Sequence, residues 1–187
     1  AEKQVKAHPN IIKFQIDVGR VLIKADEPDK ANKHFDKLIK SLDHASVNQI
    51  LDLGTGFSEL GLNDKALETY YAGRKQMGNN YPFHFQIAPV LGAKGDVAGM
   101  INEYLDVLEL SQGYLQSVQN TLNRVIGFEE DNKYNSVLQE ELQKRVQKNP
   151  NQDIYAEMLV WMYMQQNKYE AALIQVKAID KRNREDG

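Results

Sequence analysis

The 187-residue sequence has no cysteine. Disulfides, thiolate catalysis and zinc–thiolate sites are therefore excluded, while the compartment stays open, because secreted and cytosolic proteins alike can lack cysteine. It also lacks a dominant charge: 23 Lys and Arg stand among 26 Asp and Glu, for a formal net charge of -3. That is neither a basic footprint for nucleic acid nor a polybasic membrane patch. Long apolar runs are missing too. The longest, Met158 to Met164, has seven residues, far short of the roughly 20 that span a bilayer. No signal peptide is visible, and the chain begins at Ala1 rather than Met, as expected of a processed protein or a piece of one.

Chemistry-bearing clusters are equally sparse. His8, His34, His44 and His84 show neither i, i+4 pairing nor an HExxH arrangement, so no metal is assigned. The neighbouring acids Glu129 and Asp131, and Glu140 and Glu141, read as solvated helix or turn residues rather than a catalytic pair. The serines offer no nucleophile elbow. The short basic cluster in "KRNRE" near the end has acids close by, which suits a helix end better than a nucleic-acid patch. No catalytic residue and no cofactor is assigned.

What is present is a globular composition, with 42% hydrophobic and 26% charged residues, and a length that suits one domain or an array of smaller units. Residues 49–62, "QILDLGTGFSELGL", start like the cofactor loop of an S-adenosylmethionine-dependent methyltransferase. Such a loop joins a strand to a helix, and the next strand ends in an acid about 20 residues on. Here no Asp or Glu lies between Glu68 and Asp96, the third glycine is Ser58, and "SVNQILDL" is too poor in apolar residues for a central parallel strand.

The same stretch instead recurs along the chain. An apolar–small pair appears as Val18–Gly19, Leu53–Gly54, Ile87–Ala88, Val125–Ile126 and Leu159–Val160, at steps of 35, 34, 38 and 34. In phase with it run Ala31, Ala66, Met100, Leu138 and Ala172, and four residues later Phe35, Tyr70, Tyr104, Leu142 and Val176. Turn sequences rich in Asp, Asn, Gly and Lys ("DEPDK", "GLNDK", "AKGDV", "EDNKY", "QQNKY") separate the two halves of each unit. The spacing predicts five pairs of amphipathic helices over 12–45, 47–80, 81–114, 115–152 and 153–186. Small residues let the two helices of a pair approach, and aromatic columns fill the space to the next pair. "IIKFQIDVG" alternates with period two like a strand, yet its columns lie in phase with the next unit, so a helix is expected. Gly54 in a helix costs roughly 1 kcal/mol relative to Ala, which close packing can offset. Pro89 is expected to kink its helix or to cost about 3 kcal/mol.

These columns resemble the tetratricopeptide repeat, a helix–turn–helix unit of about 34 residues. The unit from Val47 matches best, through Ile50, Leu53, Gly54, Phe57, Ala66, Tyr70 and Gly73. The fourth departs most, with Ile126 and Leu138 where small residues are usual. The resemblance implies an all-α fold, a right-handed α-solenoid, as a single domain over 1–187. Pro9 in "HPN" matches Pro150 in "NPN", so residues 1–11 read as the end of a preceding repeat and the chain as part of a longer array. Open ends would then favour self-association.

By the same resemblance, exposed positions of each first helix line a concave groove. In the first unit these are Lys13, Ile16, Asp17, Arg20 and Lys24, and in the second Asn48, Leu51, Asp52, Thr55 and Glu59. The fourth contributes Asn120, Asn123 and Arg124, and the fifth Ile154, Glu157, Met158, Trp161, Met164 and Gln165. The carboxylate clamp of the family's chaperone-binding members is not kept, since Ile16, Arg20 and Asp52 replace its Lys and Asn residues. Trp161 between Met158 and Met164 suits a ligand pocket or a face for a following unit equally. The expected function is a non-catalytic scaffold or adaptor binding a protein or peptide segment, with hot spots at Trp161, Arg20 and Arg124. The alternative is a helical accessory region of a larger enzyme or cell-envelope assembly, with a methyltransferase more remote. Neither nucleic-acid binding nor membrane insertion is expected.

Overall fold

The computed structural model describes residues 11–129 and 132–185, 82% of them helical, and contains no strand among them. Among the described residues, ten α-helices follow one another in sequence pairs: α1 (Ile12–Lys24) and α2 (Pro28–Lys40), α3 (Val47–Glu59) and α4 (Asn63–Met77), α5 (His84–Ala93) and α6 (Val97–Leu110), α7 (Leu115–Ile126) and α8 (Lys133–Lys148), α9 (Asp153–Gln165) and α10 (Tyr169–Glu185). Each pair falls inside one of the five sequence windows. "IIKFQIDVG" is helical throughout from Ile12, and "QILDLGTGFSE" lies in α3, so Gly54 and Gly56 belong to a helix and not to a strand-to-helix loop. Pro9 and nearly all of the expected preceding repeat lie outside the described residues.

Local chemistry explains the boundaries. Ser46 and Gln49 form a reciprocal capping box at the start of α3, Asp96 accepts from the Gly99 amide at α6, and Asn132 accepts from the Tyr134 amide at α8. Pro28 opens α2, where its missing N–H costs nothing. The turns repeat as well. Asp26, Gly61, Gly95 and Asn167 each adopt a left-handed conformation, with φ of 59°, 73°, 82° and 57°. Around three of them the same bond closes the preceding helix: Glu27 to the Leu22 carbonyl at 3.0 Å, Leu62 to Phe57 at 2.9 Å and Lys168 to Tyr163 at 2.9 Å. Pro89 sits on the exposed side of α5, where its ring meets solvent rather than the core, and α5 is a short helix of 10 residues.

The chain divides between Gly95 and Asp96 into two compact units. In the first, α1 packs on α2 and α3, and α4 packs on α3 and α5. Its core is a set of rings seated on glycines. A methyl group added to Gly19 would come within 2.0 Å of Phe35 Cε1, and one added to Gly54 within 2.3 Å of Tyr70 Cε1, closer than any real contact allows. Each ring then meets an aromatic of the following pair: Phe35 lies edge-on to Phe57 at 5.1 Å, and Tyr70 stacks with Phe83 at 6.0 Å. On the other flank of α3, a Cβ on Gly56 would approach Ile16 Cγ1 to 2.9 Å. The two glycines of "GTG" thus admit α4 on one side and α1 on the other.

The second unit is built differently. α6 packs on α7 and α8, and α9 packs on α8 and α10, while the backbones of α7 and α8 hardly approach within 8 Å. The bulky Ile126 and Leu138, both buried, stand in columns where the first unit has the small Gly54 and Ala66. Volume there keeps the helices apart.

Gly54→Ala tests the close seat. Alanine gains about 1 kcal/mol of helix propensity, whereas forcing a methyl into the Tyr70 ring costs about 1–3 kcal/mol of overpacking. Urea unfolding should show net destabilisation, and Gly54→Ala combined with Tyr70→Leu should recover part of it. A more stable single variant would refute the seat.

Candidate functional site

Helix α3 starts at its capping box, and that register puts Asp52, Thr55 and Glu59, at i, i+3 and i+7, on one face. On α1, Lys13, Asp17 and Arg20, at i, i+4 and i+7, likewise share one face. The two faces border a cleft of about 330 Å³, floored by Ile16 and Gly56. The floor is firm because Ile16 is buried against the glycine. Seven of the residues expected in the groove from the sequence converge here: Lys13, Ile16, Asp17, Arg20, Asp52, Thr55 and Glu59. Arg20 Nη1 pairs with Asp17 Oδ1 along its own helix at 3.3 Å. Thr55 Oγ1 hydrogen-bonds the Tyr70 hydroxyl at 3.3 Å, which links the cleft wall to the seated ring. Asn48 is exposed on α3 one turn before Asp52 and does not line the cleft.

The remaining expected positions belong to the second unit. Asn120, Asn123 and Arg124 are exposed on α7, and Asn120 accepts a bond from Gln116 at 3.0 Å. Burial raises the pKa of the Tyr104 phenol on α6, and the Arg124 charge acts against it. Trp161 is half-buried, with its ring edge-on to Phe128 at 5.1 Å, and Gln165 is exposed. Met158 is corrected: it is fully buried, as is Ile154 one turn earlier. Helix α9 is apolar on nearly every side and packed between α8 and α10, so the row that the repeat positions assign to a groove is part of the core. Trp161 therefore has no methionine pocket around it on the Met158 side.

A polar cluster escaped the sequence reading. Arg145 on α8, with only 13% of its side chain exposed, pairs with Asp106 and, at 3.1 Å, with Glu109 of α6. It donates to Asn102 Oδ1 at 3.0 Å and to the Tyr155 hydroxyl at 3.3 Å, and lies over the Tyr155 ring at 5.4 Å. Tyr155 in turn donates to Glu109 at 3.2 Å, and Asn102 donates to Glu141 at 2.9 Å. Burial opposes the Arg145 charge, but bonding to and attraction by Asp106 outweigh it, so its pKa is raised. The cluster ties α6, α8 and α9 together and offers these groups to one another rather than to a ligand. Its signal in the sequence was Arg145 itself, standing in the column that holds Gly73 in the second repeat.

The cluster makes stability depend on pH in a defined direction. Burial pushes the Glu141 carboxyl up, but bonds from Lys144 and Asn102 and the Arg145 charge bring it below its ordinary value. A carboxylate held below its unfolded pKa stabilises the fold above the ordinary carboxylate range, and that contribution is lost as pH falls through the folded value. Glu141→Gln should therefore lower the melting temperature near neutral pH and shrink the difference from wild type below pH 4.5, the ordinary Glu value. A constant difference across pH would exclude the ionised form as the source. Arg145→Met, which strands Asp106 and Glu109 without their cation, should cost about 2–3 kcal/mol by urea unfolding, below the fully buried case because both partners reach solvent.

No protein-family model matches this sequence, and comparison with curated proteins finds no relative.

Proposed function

We propose that the chain is a non-catalytic binding scaffold of tetratricopeptide-repeat type. Its helix pairs would stack as a right-handed solenoid, and its first helices would present their exposed faces to a peptide or protein segment. The observation that carries this reading is the cleft between α1 and α3, where seven positions assigned to a groove by repeat register alone come together around 330 Å³. Left-handed turn residues at Asp26, Gly61 and Gly95, at steps of 35 and 34, and again at Asn167, together with glycine-seated rings in the same columns of two successive pairs, support the repeat on which that register depends. The lining is polar at the walls and apolar at the floor, a combination that suits an extended segment bonded through its backbone. No helix among the described residues is long and apolar enough to cross a membrane. In the second unit, Arg124, Asn120 and Asn123 supply exposed donors on one helix, and Trp161 an aromatic edge.

A second reading, an accessory region packed against a further domain, draws on one observation. Leu173 and Val176 of α10, i and i+3 on one face, are 52% and 46% exposed, and Ile174 nearby is 65% exposed, apolar surface of the kind that helices normally bury.

Panning a random peptide library on phage against the wild-type protein tests the first reading. Thr55→Arg would fill the middle of the cleft at an exposed position, leaving α3 intact. Selected peptides should lose about tenfold or more in affinity for that variant, since a blocked site forfeits at least one anchoring contact. Peptides that bind wild type and variant alike would place the binding surface elsewhere.

A further inference from the structure

The cleft between α1 and α3 has walls of opposite character. The α1 wall carries Lys13, Asp17 and Arg20; the α3 wall carries Asp52 and Glu59 with Thr55 between them. Arg20 is already engaged by Asp17 within α1. Asp52, Glu59 and Lys13 have no ion-pair partner among the described residues, so the α3 wall keeps two uncompensated carboxylates facing the space. Resting on the groove reading above, we infer that the α1–α3 cleft binds an extended segment of a partner protein carrying two basic side chains three residues apart, which pair with Asp52 and Glu59.

The spacing follows from helix geometry. Seven residues of α-helix separate Asp52 from Glu59, a rise of about 10.5 Å. The cleft follows both helices for that distance, because its lining runs from Lys13 to Arg20 on one side and from Asp52 to Glu59 on the other. A segment lying in it runs alongside α3. In a polyproline II conformation, side chains at i and i+3 share one face and stand about 9.3 Å apart, close enough for flexible Lys or Arg side chains to reach both carboxylates. At two residues apart they would point to different faces. Such a segment has no internal hydrogen bonds, so a backbone carbonyl turned toward α1 is free to accept from Lys13 on that wall. Ile16, packed on Gly56, gives the segment an apolar floor.

The test uses three peptides of eight residues with blocked ends, each a proline-rich frame with two charged residues: lysines three apart, lysines adjacent, and glutamates three apart. Amide chemical shifts of the 15N-labelled protein locate binding, and their titration at low salt gives affinity. The first peptide should shift amides of α1 and α3 around the cleft and bind more tightly than the adjacent-lysine peptide of equal charge. Asp52→Asn combined with Glu59→Gln should weaken it about tenfold, the loss of two exposed charge pairs of up to roughly 1 kcal/mol each. Asp43→Asn combined with Glu68→Gln changes the net charge equally at exposed positions outside the cleft and should leave binding unchanged. Equal weakening by both double variants, or equal affinity for the two lysine spacings, would overturn the inference. If the glutamate peptide alone moves the cleft amides, the basic partner is wrong while the groove reading stands. If no peptide moves them, both fall.

Discussion

Everything in the first unit depends on aromatic rings sitting where a side chain is missing. Gly19 and Gly54 leave room for Phe35 and Tyr70 to lie against the helix opposite. The same rings then reach Phe57 and Phe83 of the next pair. One contact thus joins two scales: it closes a helix pair and it docks that pair on its neighbour. Helix α3 is the node, since Gly54 receives α4, Gly56 receives Ile16 of α1, and Phe57 between these flanks receives Phe35. Two glycines inside one helix cost roughly 1 kcal/mol each in propensity. Close packing on both flanks is the physical reason that a helix keeps them.

The cleft is a consequence of that node. Because Gly56 lets Ile16 lie close, the first helices α1 and α3 stand side by side with their polar faces turned the same way and a narrow space between them. Tyr70, fixed over Gly54, holds Thr55 by its hydroxyl, so the wall inherits its position from the core. The second unit is held together by other means. Bulky aliphatic residues keep α7 and α8 apart, and a buried cation with its carboxylates and a tyrosine ties α6, α8 and α9. A charged tie of this kind is directional in a way that apolar contacts are not, and it becomes weaker in acid, where the ring-on-glycine seats are unaffected.

The helix pairs, their boundaries and the turns were legible in the sequence because each is a local matter: a column of small residues, a capping residue, a left-handed Asp, Asn or Gly. "IIKFQIDVG" is the instructive element. Its two-residue alternation favoured a strand, whereas the phase of Val18 and Gly19 with Leu53 and Gly54 favoured the helix that forms. Register also pointed to seven residues that the fold gathers around one cleft. It failed at Met158, because repeat position tells which way a residue faces and not what covers that face, and α9 is covered on several sides. It was silent on Arg145, whose partners Asn102 and Asp106 lie 43 and 39 residues away in sequence and share no local pattern with it.

The most direct measurement of the ring-on-glycine node is the proton NMR shift of the glycine α-protons. With a ring edge this close, ring current displaces them from the values of an ordinary glycine. Gly19 and Gly54 should both show this, Gly61 in its open turn should not, and the Gly54 shift should return to normal in Tyr70→Leu. Ordinary shifts for Gly19 and Gly54 in the folded protein would contradict the account, and with it the origin assigned here to the cleft.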